Sequence, residues 1–98
     1  MEIIKNADGG KLNIALKGRL DTTTAPQLET ELSNGLDGVT ELHIDMKDLE
    51  YISSAGLRVL LAAQKVMNKQ GTMDISNVND TIREVFEITG FVDILTIL

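Results

Sequence analysis

Residues 41–67 read ELHIDMKDLEYISSAGLRVLLAAQKVM, and the change of period inside this stretch decides the fold. Over residues 41–46, Leu42, Ile44 and Met46 alternate with Glu41, His43 and Asp45, the period of two expected of a half-buried strand. A loop through Asp48 and Tyr51 leads to the small residues Ser53-Ser54-Ala55-Gly56. Beyond them Leu57, Val59, Leu60, Leu61, Ala63, Val66 and Met67 make a long apolar-rich helix, ending near Gly71. The centre of the chain is therefore strand, loop, helix.

Working outward, Ile3 and Ile4 suggest a short first strand, and Asp8-Gly9-Gly10 supplies a tight turn. Residues 11–17 place Leu12, Ile14 and Leu16 on one face and Lys11, Asn13, Ala15 and Lys17 on the other, so they form a hairpin with the first strand. Gly18-Arg19-Leu20-Asp21-Thr22-Thr23 reads as a loop. Thr24 with Gln27 fits a capping box, and Pro26 falls in the first helical turn. Ala25, Leu28, Leu32 and Leu36 line one face of that helix, with Gly35 as its stop.

Downstream, Met73 and Ile75 mark a fourth strand. Asn79 caps a third helix with an apolar stripe of Ile82, Val85, Phe86 and Thr89, stopped by Gly90. Residues 94–98 make a last short strand. The order ββαβαβαβ over residues 1–98 describes one α/β domain. Strands joined by helical crossovers run parallel with right-handed connections, and the opening hairpin makes the sheet mixed. Two strands alternate cleanly, so the helices lie mainly on one face. The other face is polar and bears Lys11, Lys17, His43 and Asp45.

Composition excludes several functions. The formal charge is −6, from 15 acidic against 9 basic residues, which repels nucleic acid, and no local Lys/Arg cluster interrupts that field. No apolar run approaches the roughly 18 residues that a membrane span needs, so no membrane insertion is expected. There is no cysteine, hence no disulfide framework or thiol nucleophile. The N-terminus lacks the pattern of a signal peptide. Together these features point to the cytoplasm.

The candidate site is Ser53-Ser54-Ala55-Gly56-Leu57, at the carboxyl end of a strand and the amino end of the central helix, where open α/β sheets place function. Ser54 is read as the N-cap, its hydroxyl accepting a first-turn N–H. Gly56 costs the helix roughly 1 kcal/mol against alanine, and with Ala55 it leaves room for another molecule beside the serine. Catalysis is not expected: Ser54 has no G-x-S-x-G context, and the single His43 lies along a strand. His43 has no neighbouring ligand set of metal-binding spacing and reads as a surface residue. No phosphate-binding glycine loop is present.

The run Asp48-Leu49-Glu50-Tyr51-Ile52-Ser53-Ser54-Ala55-Gly56-Leu57-Arg58-Val59-Leu60-Leu61 resembles the signature of the anti-sigma-factor antagonists, the bacterial STAS domains. Upstream, Leu16-Lys17-Gly18-Arg19-Leu20-Asp21 is similar to the same family's stretch before its first helix. The resemblance spans essentially the whole chain. It implies a non-enzymatic partner switch. The unphosphorylated form binds an anti-sigma factor that is also a serine kinase, and so releases the sigma factor. Phosphorylation ends that binding, and a PP2C-type phosphatase resets the cycle.

By the same resemblance the phosphoacceptor is Ser54. The position before it, Asp in many members, is Ser53 here, which places a second hydroxyl one residue away. Asp21, Thr22 and Thr23, in the loop before the first helix, join Ser53, Ala55, Gly56 and Leu57 as implied partner contacts; Asp21 and the threonines equally suit a simple helix start. The ATP and Mg²⁺ of the reaction belong to the kinase, so no cofactor is implied, and the free chain is expected to be a monomer. Within the same family, an accessory subunit that binds the ATPase of a phospholipid-transport ABC system is the alternative reading.

Overall fold

Alternation of apolar side chains drives the sheet, and two breaks in that alternation shape the edge that carries the site. The computed structural model describes residues 1–98. Strands β1 (Glu2–Asp8), β2 (Lys11–Leu20), β3 (Glu41–Ile52) and β4 (Thr72–Ser76) lie in the order β1-β2-β3-β4. The β1–β2 pair is antiparallel, whereas β2–β3 and β3–β4 are parallel. Asp8 pairs with Lys11 across a two-residue turn in which Gly9 takes a φ of +61°, a conformation that glycine adopts without steric cost.

Helices α1 (Ala25–Gly35), α2 (Ser54–Gln70) and α3 (Asp80–Thr89) cover one face of this sheet. Leu12, Ile14, Leu16, Leu42, Ile44, Met46, Met73 and Ile75 point into the core from the strands, where they meet Leu28 and Leu32 of α1, Leu60 and Met67 of α2, and Ile82 and Phe86 of α3. Residues on the opposite face stay at least partly exposed, including Lys11, Asn13, Lys17, His43 and Asp45. Burying a side chain of this size contributes roughly 1.5–3 kcal/mol, so the inward stripes specify which face each strand turns to the helices.

The loop expected over 18–23 is strand in its first half, and the loop expected through Asp48 and Tyr51 is strand throughout. β2 continues through Leu20 and β3 through Ile52. Register shifts between Ala15 and Lys17, and again between Gly18 and Arg19, leave β3 with an extra residue at each step. Such bulges break the period of two while pairing continues. Lys47 and Asp48 are therefore both exposed before Leu49 turns inward, and Glu50 and Tyr51 are both exposed before Ile52 does.

Two further expectations change. The capping box of Thr24 and Gln27 does not form: Thr24 has helical φ and ψ of −100° and −19° and makes no cap bond. Its hydroxyl instead donates to Arg19 O at 2.7 Å, and Gln27 Nε2 donates to Met1 O. The last strand is reduced to one parallel bridge between Ile75 and Ile97, following a short 3₁₀ turn at Phe91–Asp93. In α3, Asn79 caps the helix by accepting from Ile82 N–H at 2.8 Å, and Gly90 ends it at a φ of +79°. Of the expected apolar stripe, Ile82 and Phe86 are buried, Val85 is half-buried and Thr89 is exposed. No helix is long and apolar enough to cross a membrane.

Candidate functional site at the amino end of the central helix

The parallel ladder decides where α2 begins. Ser53 N–H donates to Leu20 O at 2.9 Å, which continues the β2–β3 pairing and holds Ser53 extended, with φ −102° and ψ 175°. Helical geometry starts only at the next residue. Ser53 is therefore the N-cap: its Oγ accepts from Gly56 N–H at 3.4 Å and its carbonyl accepts from Leu57 N–H at 3.0 Å. The cap expected at Ser54 sits one residue earlier. Ser54 is the first helical residue, exposed, and its hydroxyl makes no hydrogen bond to the protein.

Gly56 also acts differently from the sequence expectation. It is buried, and a Cβ added there would lie 2.6 Å from Leu20 Cγ and 3.0 Å from Ile52 Cγ1. The missing side chain lets α2 close onto β2 and β3; it opens no space beside Ser54. Leu57 is 4% exposed and belongs to the core. Of the five residues expected to form the loop contact, only Ser54 is exposed, while Ser53 and Ala55 are half-buried.

The β2–α1 connection reaches the same place from the other side. Thr22, Ala25, Pro26 and Glu29 line one wall of a groove whose other wall is Ala55, Arg58 and Val59. The two segments singled out in the sequence are thus neighbours. Asp21 organises its own segment. Its Oδ1 accepts from Thr23 Oγ1 at 2.7 Å, from Thr23 N–H at 3.0 Å and from Thr24 N–H at 3.2 Å. The Thr23 hydroxyl is the main cause of a carboxyl pKa held below its ordinary 3.8; partial burial opposes this, and the Thr24 and Thr23 N–H groups reinforce it. Hydrogen bonds to the ionised form are what lower it.

Three residues that the sequence did not mark belong to this edge. Arg19 pairs with Tyr51 across β2–β3, and its guanidinium carbon lies 4.4 Å from the Tyr51 ring centroid. Its Nε is 3.9 Å from Asp21 Oδ2. Arg58 is the third, exposed on the first turns of α2. The bulges hid the Arg19–Tyr51 pair, because they change which residues stand opposite. Arg58, Lys65 and Lys69 form a spaced row that the net charge of −6 does not reveal. Their spacing of seven and four residues puts them on one side of α2, which contains no acidic residue.

His43 lies on the uncovered sheet face, where its Nδ1 is 2.8 Å from Asp74 Oδ1 and its Nε2 is 3.6 Å from Glu41 Oε1. No group of three or more His, Cys, Asp or Glu side chains is placed to hold a metal ion.

A family model described as the STAS domain matches residues 2–98. The chain belongs to the STAS domain family. This STAS chain is 38% identical over 99 residues to the protein BtrV of Bordetella bronchiseptica, covering 99% of this chain and 85% of BtrV. It is 32% identical over 98 residues to the anti-sigma-B factor antagonist of Bacillus subtilis, with coverage of 99% and 88%. Its fold matches that of the anti-sigma factor antagonist SpoIIAA in the unphosphorylated form, with a TM-score of 0.78 at 19% identity and coverage of 99% and 87%. The phosphorylated form of SpoIIAA from Bacillus gives 0.77 at 20% identity, with coverage of 99% and 91%. The STAS fold is thus common to both states of that protein.

Proposed function

We propose that this STAS domain is an anti-sigma-factor antagonist that works by partner switching, with Ser54 as its phosphoacceptor. The unmodified domain binds an anti-sigma factor that is also a serine kinase, and this frees the sigma factor. Phosphorylation of Ser54 ends the binding, and a PP2C-type phosphatase restores it. Such a role is regulatory, with ATP and Mg²⁺ held by the kinase, and the proposed partners place it in the cytoplasm.

One observation carries the assignment to Ser54: its hydroxyl is exposed and unbonded because Ser53 caps the helix. A kinase can therefore take Ser54 without removing a structural hydrogen bond. The resulting phosphate adds about −1.5 to −2 charges. At the start of α2 it meets the positive end of the helix dipole, which favours an anion, so the domain stays folded. Against a docked partner the same group brings bulk, desolvation and charge. The groove lined by Thr22 and Ala55 supports these two as partner contacts beside Ser54, with Asp21 and Thr23, bonded to each other, holding the segment that presents Thr22.

The direct test incubates the domain with its co-encoded serine kinase, ATP and Mg²⁺, and maps the product by mass spectrometry. One phosphate on Ser54 is expected, with loss of the stable complex. A phosphate on Ser53, or none, overturns the assignment. Stoichiometric co-purification with an ABC ATPase, unaffected by ATP, overturns the switch itself.

A further inference from the structure

Helix α2 carries Arg58, Lys65 and Lys69 and no Asp or Glu, in a chain of formal charge −6. At about 100° per residue, Ser54, Arg58, Lys65 and Lys69 fall within an arc of about 60°. A row of three exposed cations therefore begins one turn beyond Ser54. Arg58 is nearest, at the i+4 position, where Cβ atoms lie about 5–6 Å apart.

The surrounding charges leave Arg58 unengaged. Glu29 stands across the groove on α1 but forms no ion pair with it. Asp21, on the β2–α1 connection, is occupied by Thr23 and Thr24 and lies beside Arg19. Arg19 is itself stacked on Tyr51. Arg58 is thus the free cation beside the serine.

We propose that Arg58 transmits the phosphorylation of Ser54 to the docking face: unmodified, its guanidinium meets a carboxylate on the partner, and after modification the phosphate captures it. This rests on Ser54 being the phosphoacceptor. An anion placed four residues before a cation is the favourable order on a helix, and the guanidinium fork matches phosphate oxygens in a bidentate pair. Capture withdraws the leading positive charge from the partner while the phosphate repels the acidic group that it served. Lys65, eleven residues on, is about 16 Å away along the axis, beyond the ~8–10 Å screening length, so within this row Arg58 is the cation that the phosphate reaches. The partner surface facing this row is acidic protein. The row borders the apolar groove of Leu32, Leu36, Val59 and Val66, a combination that suits a protein surface better than a polyphosphate chain.

The experiment uses the full chain with phosphoserine installed genetically at position 54, and follows the phosphate by ³¹P NMR against pH. The second phosphate ionisation should occur about half a unit higher in Arg58→Gln than in the parent. Arg58→Lys should fall between the two, and Lys65→Gln should match the parent. Equal titration of parent and Arg58→Gln, or an equal shift from Lys65→Gln, overturns the pairing. Because the phosphoserine is installed, this readout stands even where no kinase modifies Ser54, which would count against the switch alone. With the kinase in hand, unphosphorylated Arg58→Gln should bind about tenfold more weakly at low salt; unchanged affinity overturns the docking role. Binding of the parent to anionic vesicles or to single-stranded DNA at physiological salt would likewise overturn the acidic-protein assignment.

Discussion

The two junctions that carry β2 into α1 and β3 into α2 lie side by side, yet their polar groups have opposite fates. In the first, Asp21 gathers Thr23 Oγ1 and two backbone N–H groups, while Thr24 Oγ1 bridges Arg19 O and Asp21 N–H. Only Thr22 in that segment is left to line the groove. In the second, Ser53 takes Gly56 N–H and Ser54 takes nothing. Both sequences offer short polar residues before a helix. What separates scaffold from site is whether the hydroxyl already has a partner, since a satisfied one is costly to withdraw.

The comparison can be broken at its open side first. Ser54→Asp should lower kinase affinity by ~100-fold, corresponding to a few kcal/mol at the interface, while the thermal transition stays cooperative and near the parent's. Calorimetric titration and a thermal melt measure the two together. Unfolding instead would show that Ser54 is structural, and the contrast with Ser53 would collapse.

A smaller effect tests the inner side of the same junction. Gly56→Ala places a methyl 2.6 Å from Leu20 Cγ, and overpacking of this kind costs about 1–3 kcal/mol. Denaturant unfolding should show that loss with the mass-spectrometric site unchanged. Full stability with weakened docking would return Gly56 to the partner surface.

The smallest effect belongs to the saturated junction and depends on pH. Asp21 has a folded pKa below its ordinary 3.8, so its contribution to stability is fully present above the unfolded value. It is lost as pH falls through the folded one. Amide shifts of Thr23 and Thr24 should stay constant from neutral pH to about 4 and move together below it, and Asp21→Asn should abolish that transition. A transition at higher pH would mean that the carboxylate is not held by these donors.

Much of this fold is legible in the residues. Leu12, Ile14 and Leu16, and again Leu42, Ile44 and Met46, announce strands and their buried face through strict alternation. Asn79 and Gly90 bound α3 through local chemistry alone. The spacing of Arg58, Lys65 and Lys69 was also readable, although net charge concealed it. Lys47 to Ile52 were not, because two bulges in β3 imitate a loop. Thr24 and Gln27 looked like a capping box, but Arg19 O competed for the threonine hydroxyl.

The sequence by itself determined the order of elements, the inward stripes and the Ser-Ser-Ala-Gly motif, since each depends on neighbours a few residues apart. It could not say which serine is free, because Ser53 and Ser54 are equivalent caps locally. Tertiary structure decided that through the Ser53 N–H bond to Leu20 O, which joins residues far apart in the chain. By holding Ser53 in the ladder, it makes that serine the cap and leaves Ser54 exposed.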